Sequence, residues 1–440
     1  KMDKSSIDFS MIKVPGRTSQ AFFESANYYS EARFSKLQGI DEIHPLYRVK
    51  KYVDSYQTNE IYVDDLAKQM KIAPEQVKAM LIRLANLGFL IYDADDEVVY
   101  VKDKVYEYIK ALNKKTDYDI IQFQSTVEDD INASLSLLDF DLKIKGVPVV
   151  LLSDSQNVFI YPSNQEVTVK KNRDFSFSGR IHAGRFDYFA KGCSFIYDDF
   201  KLNMPVIDSL SFKVLAFQTN DKGERPLVRV QNVLQDLKGE ILVDYPTNKS
   251  GLKNFPQYPI FTSKEPSYVY YNRQNIQRGV YTKDKFYFVV KPFSIDSLDN
   301  FETENIKFDG SLTSAGIFPE INEPLKVQPD YSLGFVKSTP IAGLPAYGGK
   351  GKYYNKINLS NQGLRGDGRL EYITSTTHSN DFLFLPDSMK AVANKFEIKA
   401  QTTLTEYPQL AASNVSQFWR PYKDSLISTQ IDQPFQMYNN

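Results

Sequence analysis

The 440-residue chain contains one cysteine, three histidines and one tryptophan, and each scarcity excludes something. A lone Cys193 rules out an internal disulfide framework, and cysteine usage by itself leaves the compartment open. Three scattered histidines and one cysteine supply too few ligands for a zinc centre, so no metal and no cofactor is expected. Charge of one sign is also lacking. With 53 basic against 54 acidic residues the formal net charge is -1, so no overall field draws in nucleic acid or an anionic membrane. No apolar run approaches the length of a membrane span. The first residues, KMDKSSIDFSMIKVPG, lack the apolar core of a signal peptide. Because position 1 is Lys and not Met, the expectation is a piece whose targeting signal lies upstream.

Aromatic residues are abundant. The 29 Tyr and 30 Phe, with Gly and Pro at 21 each, favour pleated, turn-rich structure. The expected class is α+β, mainly β, and the length suggests roughly two to four units of ordinary domain size.

The helical signal lies near the start. DEIHPLYRVKKYVDSYQ (41–57) sets Leu46, Val49, Tyr52 and Val53 on one helical face, and EIYV follows as a short strand. Asp64 is the expected N-cap of a second helix that turns Leu66, Ala67 and Met70 inward. Pro74 suits the first position of a third helix, whose apolar stripe holds Val77, Met80, Leu81, Leu84 and Leu87 before Gly88 ends it. FLIY and EVVYV then close a hairpin around DADD, and KDKVYEYIKALNKK (102–115) gives one more helix with Val105, Tyr108, Ile109 and Leu112 on a face. The order helix, strand, helix, helix, strand, strand over residues 41–102 resembles a winged-helix domain.

A winged helix that reads DNA needs positive charge where phosphates approach. Here the reading helix offers Lys78 and Arg83 against Glu75, and the wing carries Asp93, Asp95, Asp96 and Glu97. DNA is therefore not the expected partner, and a structural or protein-binding use of the fold is preferred. Calcium at DADDE would suit the carboxylates. The spacing lacks the Gly and distal Glu of an EF-hand loop, and a solvated turn is expected instead.

From about Tyr118 the apolar period becomes alternating. DIIQFQSTV, ASLSLLDFDLKI, VPVVLLSD, VFIYPS and EVTVKKN are strand candidates. A related phrase recurs in FSFSGRIHAGRFDYF, LKGEILVDY, IKFDGSLTSAGIF and GLRGDGRLEYITS, each with a Gly before an alternating run. Such a Gly marks a bulge or a close backbone approach. The recurrence suggests a stacked β scaffold, either a parallel β-helix or an open β-groove, with a pair of β-sandwich domains as the alternative. PLVRVQNVLQDLKGE and LPDSMKAVANKFEIKA are expected to hold short helices, and 246–305, rich in Pro, Tyr and Lys, reads as an excursion packed on the scaffold. The implied segments are an N-terminal extension (1–40), the helical module (41–115), a β-rich region (118–232), a strand plus excursion (233–305) and a repeat-like β region (306–440).

LSDSQNVFIYPSNQEVTVKKNRDFSFSGRIHAGRFDYF, ILVDYPTNKSGLKNFPQYPIF, QPDYSLGFV and NQGLRGDGRLEY resemble stretches of very large, uncharacterised envelope proteins of Bacteroidota. The resemblance covers most of the chain and implies an internal fragment of a longer exported protein; it carries over no activity and no functional residue. The GLRGDGRLEY type of strand is also similar in texture to envelope lipid-conduit proteins built from stacked β repeats.

No catalytic constellation emerges. A nucleophile needs a base, and only His44, His182 and His378 offer imidazoles. His44 precedes Pro45 at a helix start and suits a cap. His182 alternates with Ile181 and Phe186 as a strand residue, and His378 in STTHSND reads as a polar turn. Cys193 reads as a small buried residue. Asp198 with Asp199, or Asp187 with Asp198 across neighbouring strands, are the carboxylate pairs considered for glycan chemistry. GLPAYGGKGKYY places Gly349 where a phosphate-binding loop needs Lys, with neither Ser nor Thr after Lys350. The RGD at Arg365 to Asp367 reads as part of the repeat phrase, and the tyrosines of SYVYYNRQ as packing in preference to sugar stacking.

These readings converge on a non-enzymatic structural or interaction fragment of a large bacterial envelope protein, periplasmic or outer-membrane associated, with envelope proteins as partners. The alternatives are a glycan-binding or glycan-cleaving β-helix and a lipid-handling β-groove. No catalytic, cofactor-binding or metal residue is assigned, and no membrane span is expected in this fragment.

Overall fold

Helices form where apolar residues recur at three- and four-residue spacing, strands where they alternate, and the chain changes from one pattern to the other near residue 115. The computed structural model describes residues 18–25, 28–38, 42–401 and 407–438. The protein is mainly β; among the described residues the α-helices end at Leu112, with large antiparallel sheets and a few single-turn 3-10 helices beyond. Its contacts group into two units, one comprising 1–206, 239–261 and 295–300, the other 207–238, 262–294 and 301–440. The chain passes between them inside strand Lys201–Leu215 and again inside Leu234–Leu242. The five segments delimited in the sequence are thus distributed over two units.

In the first unit, helix α1 (Glu31–Leu37) starts at Ser30, whose Oγ accepts from Arg33 N–H at 3.4 Å. Helix α2 (Pro45–Tyr56) buries Leu46, Val49, Tyr52 and Val53, the face set by its sequence. Helix α3 (Val63–Met70) starts directly after strand Glu60–Tyr62, so Asp64 lies within its first turn and Tyr62 takes the N-cap position expected for Asp64. The sheet explains the shift: Ile61 pairs with Val99 and Tyr62 with Val98, which holds the backbone extended up to the helix. Asp64 still faces the positive end of the helix dipole. Helix α4 (Pro74–Asn86) has Pro74 in its first turn and buries Val77, Leu81 and Leu84. It ends in a Schellman motif in which Gly88, at φ +77°, donates to Ala85 O and Phe89 donates to Leu84 O. Strands Leu90–Asp93 and Val98–Val101 form the expected hairpin, and Val98–Val101 is the centre of a three-stranded antiparallel sheet. Helix α5 (Lys104–Leu112) closes the core with Val105, Tyr108 and Ile109.

Of the expected N-terminal extension, residues 1–17 lie outside the described residues. Strand Thr18–Glu24 pairs antiparallel with Gln122–Glu128 over seven residues, from Thr18 opposite Glu128 to Glu24 opposite Gln122. Helix α1 adds Leu37 to the helical core. The rest of this unit is a series of antiparallel hairpins, including Val150–Ser153 with Val158–Pro162 and Phe175–Ala183 with Phe186–Ile196. ASLSLLDFDLKI, expected as one strand, folds into a hairpin of Ala133–Leu135 and Leu142–Ile144, with Ser136 N–H donating to Asp141 O across the turn.

The second unit contains a long antiparallel meander running Leu333–Ser338, Gly351–Ser360, Gly363–Tyr372, Ser375–Leu385 and Ser388–Ala393, then Val415–Arg420 and Ser425–Gln430. This is pairing between neighbours along the chain; the parallel coil named above would need parallel ladders. Tyr353, Phe382, Phe384 and Trp419 fill the inner face, with Tyr353 and Phe384 at 5.1 Å and 82°. In two of the recurring phrases, FSFSGRIHAGRFDYF and GLRGDGRLEYITS, glycines sit at bulges. A bulge falls between Phe177 and Gly179, where φ is +151° and an added Cβ would lie 2.2 Å from Tyr161 O. A second falls between Gly366 and Gly368, and a Cβ on Gly366 would lie 2.2 Å from Tyr353 Oη.

Several expectations are corrected here. PLVRVQNVLQDLKGE and LPDSMKAVANKFEIKA hold strands, Leu227–Arg229 with Leu234–Leu242 and Ser388–Ala393 with Lys395–Ile398, and no helix. Their Leu, Met, Ala and Lys residues favour helix intrinsically, but alternating burial in the sheet overrides that weak preference. The segment 246–305 includes strands Ile260–Ser263, Ser267–Tyr270 and Phe286–Val290. No helix among the described residues is long and apolar enough to cross a membrane.

Candidate functional site

Helix α4, the would-be reading helix, is apolar on two sides. Val77, Leu81 and Leu84 face the core, while Ala79, Ile82, Arg83, Asn86 and Leu87 recur at i, i+3, i+4, i+7 and i+8 along a second stripe. That stripe lines a cleft of about 880 Å³ together with Phe22, Lys36 and Leu37. A smaller cavity of about 220 Å³, lined by Met70, Ile72 and Met80, shares Leu37, Ala79 and Arg83 with it. Leu87, assigned to the inner stripe from sequence, is instead 38 % exposed on the cleft side.

One carboxylate sits among the cleft's cations. Glu24, only 6 % exposed, accepts from Arg33 Nη1 at 2.6 Å, from Lys104 Nζ at 3.4 Å and from Gln122 Nε2 at 3.0 Å. Lys104 also donates to Leu87 O at 3.0 Å and lies over the Phe89 ring at 5.1 Å. Arg83 donates to the Lys36 carbonyl at 2.7 Å, tying α4 to α1. Against four cations, Arg33, Lys36, Arg83 and Lys104, stands the single Glu24, so the lining carries a net +3 on apolar walls. Lys36 has no ion-pair partner among the described residues.

On the same helix, Lys78 is paired with Glu97 of the hairpin turn after Leu90–Asp93, and that hydrogen bond raises the lysine's pKa. The wing turn is closed locally, with Asp93 Oδ1 accepting from Asp95 N–H at 3.0 Å and Asp96 N–H at 3.4 Å. Among the described residues no group of three or more His, Cys, Asp and Glu could hold a metal ion.

Of the residues weighed from sequence for chemistry, the structure brings together His182 and Asp187. His44 caps α2: its Nδ1 accepts from Leu46 N–H at 3.2 Å, its Nε2 donates to Phe34 O at 2.8 Å, and the ring stacks on Phe34 at 3.7 Å. Burial lowers its pKa. His182 contacts Asp187 at 3.0 Å across the hairpin of Phe175–Ala183 and Phe186–Ile196. Asp187 and Asp198 do not lie on neighbouring strands: Asp187 is near the start of Phe186–Ile196 and Asp198 lies in the turn after its far end, so they are not the facing pair that glycosidic carboxylates need. Asp199 pairs with Lys201. Cys193 is fully buried, and desolvation pushes its thiol up to about 12.

His378, read as part of a polar turn, lies within strand Ser375–Leu385. Alternate hydroxyls of STTHSND are buried and satisfied, Thr377 donating to Gln417 Oε1 at 2.6 Å and Ser379 to Val392 O at 2.7 Å. Burial, with Arg369 and Lys395 beside it, lowers the His378 pKa. Lys350 pairs with Asp424 at 2.8 Å. The RGD triplet lies in strand Gly363–Tyr372, with Arg365 bound to Asp381. Tyr271 is buried and donates to Leu333 O at 2.8 Å, and Tyr268 and Tyr270 are half-buried.

The cleft residues were missed because residues 22 to 108 meet there only through the fold. The available signal was Ile82 and Leu87, which give α4 more apolar surface than one buried face needs. Comparison with family models, with curated proteins and with solved structures finds no match.

Proposed function

We propose that this chain is a non-enzymatic interaction and scaffold piece of a large bacterial envelope protein, in which a winged-helix-like module docks protein partners and the β-rich remainder acts as its rigid support. The observation that carries the docking role is the amphipathic cleft on the outer face of α4. Ala79, Ile82 and Leu87 give this outer face apolar contact surface at i, i+3 and i+8, with Arg83 at i+4 and Lys36 and Lys104 beside it to select an acidic partner. The order of helices and strands in residues 45–101 supports the winged-helix description, with Lys78 of α4 held by Glu97 and so withdrawn from phosphate contact.

For the β-rich part, antiparallel meanders with aromatic interiors favour an open stack or sandwich over a parallel coil. Glycan cleavage draws no support from Asp187 and Asp198, which are not a facing pair. Lipid handling would need an open apolar trough, and the inner face at Tyr353, Phe384 and Trp419 is packed with rings.

The test is purification of the tagged parent protein from fractionated cells after cross-linking. Recovery from the envelope fraction, with cross-links from Lys36 or Lys104 to defined protein partners, is the expected result. Recovery from the cytoplasm, or micromolar, salt-sensitive binding of duplex DNA by the chain at low ionic strength, would sink the proposal.

A further inference from the structure

The first unit also carries an unusual protrusion. At the tip of the hairpin joining Ala133–Leu135 to Leu142–Ile144, Leu137 is 77 % exposed, Leu138 96 % and Phe140 63 %. Three large apolar side chains held out together on one tight turn form a small apolar knob, and contiguous apolar surface of this kind marks contact sites. The turn is ordered from within: Ser136 N–H donates to Asp141 O at 2.9 Å, Leu138 N–H to Ser136 Oγ at 3.4 Å and Asp141 N–H to Asp139 Oδ1 at 3.3 Å.

The knob is acidic. Lys170 is paired with Asp141, Lys143 with Glu166 and Lys145 with Asp130, so the neighbouring lysines are neutralised by carboxylates of their own. Asp139, seated between Leu138 and Phe140, is left as the charge of the tip, and hydrogen bonds from Ser136 and from the Asp141 backbone hold its carboxyl below the usual range and ionised.

Building on the interaction role proposed above, we propose that the occupant of the α4 cleft is this hairpin tip from a second copy of the chain. Leu137, Leu138 and Phe140 would seat between Phe22 and the Ile82, Leu87 stripe, and Asp139 would meet Lys36 and Arg83, cleft cations that face no carboxylate among the described residues. A cleft of about 880 Å³ lies in the range that encloses a drug-sized ligand, room enough for three side chains. Tip and cleft are different surfaces, so the contact is heterologous: each bound copy still offers a free tip and a free cleft, and association extends head to tail. An anionic membrane is the poorer occupant, because Asp139 lies in the middle of the apolar trio and would be carried to the lipid surface with it.

Sedimentation velocity on the full chain over a wide concentration range tests this. The expected result is concentration-dependent association of the wild type. It is weakened at least about tenfold by the triple variant Leu137→Ser, Leu138→Ser, Phe140→Ser and equally by the cleft variant Ile82→Glu, Arg83→Glu. Mixing the two defective variants is the decisive arm, since one retains a working cleft and the other a working tip: they form a pair that stops at two. The charge exchange Asp139→Lys with Lys36→Asp, at exposed positions, restores association that either single change weakens, and Asp139→Asn, which keeps the acceptor for Asp141 N–H, separates loss of charge from loss of the turn.

A wild type that stays monomeric at every concentration overturns the proposal, as does a tip variant that associates normally or a mixture that fails to pair. Flotation of the wild type, but not the tip variant, with phospholipid vesicles and without self-association assigns the knob to a membrane and also overturns it. The interaction reading stands or falls separately, on the cross-linked partners of the parent protein.

Discussion

Replacing Glu24 by Gln isolates the electrostatics of the cleft floor. The amide keeps the size of the carboxylate and removes its charge, leaving Arg33 and Lys104 facing a neutral group. Removing one partner from a desolvated ion pair costs roughly 3–5 kcal/mol, because the remaining charge stays buried without compensation. The Lys104 side chain is 11 % exposed, but that of Arg33 is 36 % exposed and partly screened by solvent. The expected loss is therefore about 2–3 kcal/mol, which for a unit of this size lowers its melting temperature by about 4–12 °C. Glu24 is the last residue of Thr18–Glu24 and pairs with Gln122. Hydrogen exchange should therefore accelerate first in Thr18–Glu24, Gln122–Glu128 and α5, while the meander of the second unit keeps its protection. The double variant Glu24→Gln, Lys104→Met keeps the aliphatic contact with Phe89, removes one stranded cation and is expected to recover part of the loss. A melting shift under about 1 °C, or a double variant no more stable than the single one, would refute the reasoning and make the Glu24 cluster a surface pair without energetic weight.

Three further outcomes follow from the same structure. Burial lowers the His44 pKa, so the folded chain binds fewer protons than the unfolded one; the stability this group contributes is complete above the unfolded value near 6.5 and declines as pH falls through it toward the folded value. His44→Asn keeps an acceptor for Leu46 N–H, and hydrogen exchange in α2 should then lose most of its extra acceleration between about pH 7 and pH 5; an unchanged pH response would locate the titration elsewhere. Gly366→Ala drives a Cβ against the Tyr353 ring and should destabilise the second unit by about 1–3 kcal/mol in urea unfolding, partly relieved by Tyr353→Phe; a neutral result would mean that Tyr353 moves freely. Cys193, fully buried and with its thiol pushed up to about 12, should resist alkylation at pH 8 until the chain is unfolded, and rapid labelling of the folded protein would contradict the packing of Phe175–Ala183 on Phe186–Ile196.

What the sequence made legible was whatever depends on local periodicity. The faces of α2 and α4 follow from three- and four-residue spacing that tertiary contacts reinforced, and the glycines of FSFSGRI and GLRGDGR mark bulges because only glycine tolerates the backbone approach there. It failed where composition opposed context. STTHSND looks like a turn, yet the hydroxyls of Thr377 and Ser379 are buried and paired across the sheet, and a linear reading has no access to Gln417 or the Val392 carbonyl that satisfy them. MKAVANK has helix-forming residues but is held extended between Ser375–Leu385 and Val415–Arg420. The cleft was hidden for the same reason: Glu24, Arg33 and Lys104 are unremarkable charges until the pairing of Thr18–Glu24 with Gln122–Glu128 and the packing of α1 bring them to one floor.

The wing carboxylates, first weighed as a bar to DNA, acquire a second consequence in three dimensions. Glu97 holds Lys78 at the wing side of α4, so the cations left to a partner are those on the cleft side, Lys36 and Arg83. Had Lys78 been free, the helix would present positive charge on both flanks and would attract any polyanion. With one flank neutralised, the field is confined to an apolar cleft, where only an anion attached to apolar groups gains from both terms. On the role proposed here, the helix would therefore favour acidic, apolar polypeptide over a phosphate backbone.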